Sequence, residues 1–187
     1  MKKLIICILL IIIPFLCIAP VISASEAEQS KKRLFIEFLR QRYNRELDRF
    51  ARDLGYKESS NDWKTMNSIN CMGEYQFAYP TLKRLGYSHI TPKSFLKNPG
   101  IFPPEMQLEA LKQLIKLNSV YLSSMNKYIG KTIKNVLITR SGLIAGAHLG
   151  GIGGIRRFLE TDGAVNCQDM NGTSISDYIK EFAFYKI

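Results

Sequence analysis

The chain is short of the residues that build metal sites and nucleophilic triads. It carries two histidines, one tryptophan and four cysteines, and its 16 Asp and Glu are outnumbered by 26 Lys and Arg. His89 and His148 stand at no metal-ligand spacing from a cysteine, so a zinc site is not expected, nor any other metal or cofactor. Strand-like alternation is missing too, apart from residues 135–139, and no internal repeat or low-complexity run appears. The glycines Gly150-Gly151 and Gly153-Gly154 lack the strand–loop–helix setting of a phosphate cradle. They read as close helix packing around a cleft.

The N-terminus has a basic start at Lys2 and Lys3, an apolar run over 4–19 broken only by Pro14, and a small, polar stretch over 20–27. This is the layout of a secretory signal, with cleavage after Ala24 or Ala27. The expected organisation is therefore a signal over 1–24 and one domain over 25–187, exported to a periplasm or beyond the cell. A retained anchor is the alternative, but the run is shorter than the roughly 20 apolar residues of a spanning helix. Cys17 follows the bulky Leu16, unlike a lipoprotein cysteine. Taking Lys2 and Lys3 from the 26 basic residues leaves 24 against 16 acids, a net charge of +8. That excess suits polyanionic partners, and export argues against nucleic acid. Cys71 and Cys167 are then an even pair in an exported chain. A disulfide between them would close a loop of nearly a hundred residues and contribute roughly 4 kcal/mol; two free thiols are the alternative.

Ile36, Leu39, Tyr43, Leu47, Phe50 and Leu54 recur every three or four residues, the stripe of a core-facing helix over 31–58. The next member of that stripe is Glu58. A carboxylate thus falls where the pattern asks for a hydrophobe, in the last turn of a helix. Desolvation and the negative helix end both disfavour its ionised form, which suits a proton donor near neutral pH. If the helix has already ended, Glu58 simply faces water.

Further helices are expected from Pro80 to a stop at Gly86, from Pro92 to Leu96, and from Pro103-Pro104 through a stripe of Leu108, Leu111, Ile115, Leu122 and Met125. Ser141 is the expected cap of another, which halts at Gly150-Gly151 and is followed by a short helix over 152–159. Ser174 with Asp177 forms a capping-box pair for a last helix whose apolar face is Ile175, Tyr178, Ile179 and Phe182. The fold class expected is mainly α, a single globular domain.

Three stretches carry the chemistry: Glu58-Ser59 at a helix end, the turn Gly73-Glu74-Tyr75-Gln76 before a Pro-containing helix ending in Leu85-Gly86, and Ala145-Gly146-Ala147-His148-Leu149-Gly150-Gly151 leading to Gly154-Ile155-Arg156-Arg157. In this order and spacing they resemble the lysozyme-like peptidoglycan-cleaving glycosidases, the goose-type lysozymes and lytic transglycosylases. The resemblance spans about 36–182. Tyr75 departs from the Leu-Met of the second motif, and His148-Leu149 from the Tyr-Asn of the third.

The resemblance implies a lysozyme-like fold and cleavage of the β-1,4 bond between N-acetylmuramic acid and N-acetylglucosamine, with Glu58 as the single acid and base. Ser59, Tyr75, Gln76 and His148 would contact the substrate or orient Glu58, although Tyr75 and His148 also suit a core and Ser59 a helix end. A hydrolase needs a second carboxylate to activate water. Asp62 and Glu74 lie nearest in sequence, but each reads more readily as a solvated loop residue than as a base, so the transglycosylase outcome is favoured. The partner implied is the peptidoglycan glycan strand, met by a monomer without stable membrane attachment. The rivals are a lysozyme-type hydrolase, a non-catalytic peptidoglycan-binding module, and a basic membrane-active protein. The last is disfavoured because no helix carries one broad cationic face.

Overall fold

The computed structural model describes residues 24–187; the signal expected over 1–24 lies outside them but for its last residue. The chain divides into two compact units, the first ending at Leu39 and the second comprising Arg40–Ile187. Among the described residues no helix is long and apolar enough to cross a membrane.

Helix α1 runs Ala24–Ser59, starting earlier than expected and reaching one residue past Glu58. Its stripe is only half a core. Leu47, Phe50 and Leu54 are buried, whereas Ile36, Leu39 and Tyr43 are exposed, as are Leu34, Phe35 and Phe38. Periodicity records which residues share a face, not whether anything packs on it. From Leu47 onward the face is covered: Phe50 meets Phe182 and Tyr185 edge-on, each with ring centroids 5.3 Å away.

The fold of the second unit follows its punctuation. Pro80 sits in the first turn of α2 (Tyr79–Arg84) and Pro92 opens α3 (Pro92–Lys97), whose cap Thr91 trades hydrogen bonds with Ser94. A 3-10 turn over Pro99–Ile101 leads to α4 (Pro104–Leu122). Within its stripe Leu111, Leu114, Ile115 and Leu122 are buried, and Met125 follows in a 3-10 turn over Ser123–Tyr128. Tyr121 is exposed instead. The expected strand shrinks to a two-residue antiparallel pair, β1 (Thr132–Ile133) with β2 (Val136–Leu137). Helix α5 (Arg140–Glu160) is capped by Thr139, not Ser141: the Thr139 hydroxyl accepts from the Gly142 amide at 3.1 Å. The break expected at Gly150-Gly151 is a kink at Gly151, where φ is 66°. Helix α6 (Ile175–Glu181) starts at the Ser174–Asp177 capping box, as its sequence requires.

Helices α5 and α6 touch because α5 has no side chains on one face. Gly142, Gly146, Gly150 and Gly154 recur every four residues, and Ile175 or Ile179 of α6 lies against each. A β-carbon on Gly142 would fall 2.6 Å from the Ile179 carbonyl oxygen, a backbone atom that cannot rotate away. Gly142→Ala is therefore expected to cost about 1–3 kcal/mol of stability. Thermal denaturation should register it as a lower melting temperature, and an unchanged melt would remove the close approach from the account.

Candidate functional site

Glu58 lies in the last turn of α1 with 14% of its side chain exposed, and it lines an open cleft of about 680 Å³. The stripe therefore carries a carboxylate to the edge of the core, not into it. Its Oε1 accepts a hydrogen bond from the Tyr178 hydroxyl at 2.7 Å. Tyr178 belongs to α6, so the glycine face of α5 indirectly sets this contact by admitting α6. Burial, followed by the nearby Glu58 charge, pushes the Tyr178 phenol well above the ordinary tyrosine range. It keeps its proton and remains a donor throughout the neutral range. Lys57 Nζ lies over its ring, 5.1 Å from the centroid, and pairs with Glu181 at 2.6 Å.

The second motif is a tight turn. Met72 and Phe77 exchange backbone hydrogen bonds at 2.9 and 2.8 Å, and φ is positive at Gly73 and Gln76. Gly73 is required twice over, by its φ of 76° and by the Gln107 amide pressed against its α-carbon. That amide is the support for the whole region. Gln107 is fully buried; its Oε1 accepts from the Glu74 amide at 2.6 Å, and its Nε2 donates to the carbonyls of Trp63 at 2.8 Å and Phe102 at 2.6 Å.

His148 stands opposite this turn, 9% exposed at the side chain. Its Nε2 is 2.8 Å from the Tyr75 carbonyl oxygen. A carbonyl only accepts, so this geometry assigns the proton to Nε2. The bare Nδ1 is buried with no partner among the described residues. Nε2 also lies 3.8 Å from Glu58 Oε1, too far for a hydrogen bond. In this tautomer Nε2 cannot take a proton from Glu58.

The expected site residues sort unevenly. Glu58, Gln76 and His148 line one cleft. Gln76 spends its amide nitrogen on the Gly73 carbonyl at 2.8 Å, and His148 reaches the cleft mainly as a brace for the turn. Tyr75 does not line that cleft: its ring is buried in the core beside Phe77, and only its carbonyl serves the site, through His148. Ser59 bonds the carbonyls of Gly55 and Glu74, not Glu58, and so ties the helix end to the turn.

Both expected second carboxylates also lie elsewhere. Asp62 accepts from the Lys64 amide at 3.0 Å in its own loop. Glu74 lines a separate hollow with Asp48, Arg52 and Tyr75, where burial raises its carboxyl above the usual range. The carboxylate that does share the cleft with Glu58 is Asp169, on the loop before α6. Neither Asp169 nor Tyr178 carries a local sequence signal of function; chain folding alone sets Tyr178 on Glu58 and Asp169 in the same cleft.

Cys71 and Cys167 are free thiols, so the expected disulfide is not formed. Each is held by its own segment. The Cys71 amide bonds Asn67 Oδ1, and the Cys167 carbonyl accepts from the Ile175 amide while its Sγ lies 3.8 Å from Arg157. Both line the cleft, and burial pushes the Cys71 thiol up. Among the described residues no group of His, Cys, Asp and Glu is arranged to hold a metal ion.

A second tyrosine locks the same end of the fold. The Tyr185 hydroxyl donates to Asp53 Oδ2 at 2.6 Å, and burial with that bond pushes its phenol up to about 12. An unfolded tyrosine ionises near about 10. The raised value therefore contributes stability that is complete below pH ~10 and lost as pH rises toward 12. Phenolate absorbance should show Tyr185 ionising late, and Tyr185→Phe should remove that step and flatten the alkaline loss. An alkaline melting curve identical in the variant would contradict this.

No family model, curated protein or solved structure matches this chain.

Proposed function

We propose that this chain is an exported muralytic glycosidase of lysozyme-like fold, cleaving the β-1,4 bond between N-acetylmuramic acid and N-acetylglucosamine in peptidoglycan. The observation that carries the reading is the placement of Glu58. It is a mostly covered carboxylate at the edge of an open cleft of mixed polar and apolar lining, with Oε1 held by a tyrosine hydroxyl that stays protonated. Supporting it are the three motifs, which converge on that cleft through Glu58, Gln76 and His148.

In the reaction Glu58 gives its proton to the glycosidic oxygen as the bond to C1 breaks, leaving an oxocarbenium-like sugar. Tyr178 fixes Oε1 of the carboxyl, so less ordering of Glu58 is needed at the moment of reaction. His148 holds the turn whose Gln76 and Phe77 line the cleft. Asn67, Ser68, Gln168, Asn171 and Thr173 give the cleft uncharged hydrogen-bonding groups suited to sugar hydroxyls and acetamido groups.

Digestion of purified sacculi, with mass analysis of the soluble products, tests the reading. Muropeptides carrying the disaccharide repeat are expected. Intact sacculi after prolonged incubation would leave the cleft a binding site only.

A further inference from the structure

We infer that Asp169 is the general base of this cleft, so that the sugar cation formed at Glu58 is captured by water and not by the sugar's own six-position hydroxyl. The inference rests on the glycosidase reading above. The sequence favours the transglycosylase outcome because the nearby Asp62 and Glu74 read as solvated loop residues; the fold brings a carboxylate from 111 residues away into the same cleft.

The position of Asp169 suits the role. Its Oδ1 accepts from the amides of Asn171 at 2.8 Å and Thr173 at 2.9 Å, which fixes the carboxylate plane. No group among the described residues donates to Oδ2, and no cation pairs with the side chain, so one oxygen is left for a water. Tyr178 lines the same cleft with its hydroxyl bonded to Glu58, and its phenol is pushed up by burial, by Glu58 and, less, by the negative charge of Asp169. Asp62 and Glu74 are outside the cleft and cannot substitute.

The step balances without a further reactant. Glu58 protonates the glycosidic oxygen, the C1–O bond breaks, and its electron pair leaves with the N-acetylglucosamine hydroxyl. Water adds to C1 while Asp169 takes its proton, giving a reducing end. Proton exchange with solvent then restores both carboxyls.

Product end groups and two variants test this. Native protein should release reducing ends from sacculi. Asp169→Asn keeps an oxygen to accept from Asn171 and Thr173 but cannot take a proton, so release of reducing ends should fall about a hundredfold or more. Azide, a nucleophile that needs no base, should restore cleavage in Asp169→Ala with a glycosyl azide as product, a rescue that a merely structural role would not give. Native protein that yields 1,6-anhydro ends, or an Asp169→Asn variant within a few-fold of native, overturns the role of Asp169 and leaves the glycosidase reading standing. No release by native protein overturns both.

Discussion

Glu58→Gln should lower the release of muropeptides from sacculi by at least about a hundredfold, the usual scale for loss of a positioned general acid. The melting temperature should stay near that of the native protein. The substitution leaves an amide oxygen to accept from Tyr178, so the 2.7 Å contact and the packing of α6 can persist. What disappears is the transferable proton. Glu74→Gln and Asp62→Asn are the matching controls, since neither side chain lines the cleft, and both should retain near-native activity. If Glu58→Gln unfolds the protein, the loss of activity says nothing about proton transfer, and the melt separates the two cases.

The second large effect is on stability, at Gln107. Gln107→Leu should cost about 3–5 kcal/mol, because it strips partners from three backbone groups at once. The Glu74 amide and the carbonyls of Trp63 and Phe102 all bond this one side chain at 2.6–2.8 Å. Each group left buried and unpaired costs about 1–3 kcal/mol. For a chain of this size that corresponds to a drop in melting temperature on the order of 10 °C. The turn over 73–76 depends on the same amide, so activity should fall as well, through His148 losing the Tyr75 carbonyl. A variant with native stability would mean that the turn is held by its own backbone bonds alone.

These two residues mark what the sequence does and does not reveal. Local grammar is legible: the Ser174–Asp177 capping box, the prolines opening α3 and α4, and the continuation of the α1 stripe to Glu58 all stand as read. The errors arise where a local pattern needs a distant partner. Ile36, Leu39 and Tyr43 keep the helical period but are exposed, since period alone does not supply a covering layer. Gln107 occupies the buried face of α4 between Pro104 and Leu111, yet a glutamine on a helix gives no hint that three loops will converge on it. Tyr75, in the turn motif, suggests a substrate contact, but its ring is packed into the core. Asp169 and Tyr178 enter the site only through the glycine face of α5, a spacing of four visible in the sequence without the identity of what would pack on it.

The proposed catalytic role of Glu58 is tested most directly by incubating native and Glu58→Gln proteins, at matched concentration, with the same purified sacculi and measuring soluble fragments that contain muramic acid. Fragments should accumulate with the native protein and remain at the blank level with the variant. Equal accumulation with both, or none with either, would contradict it.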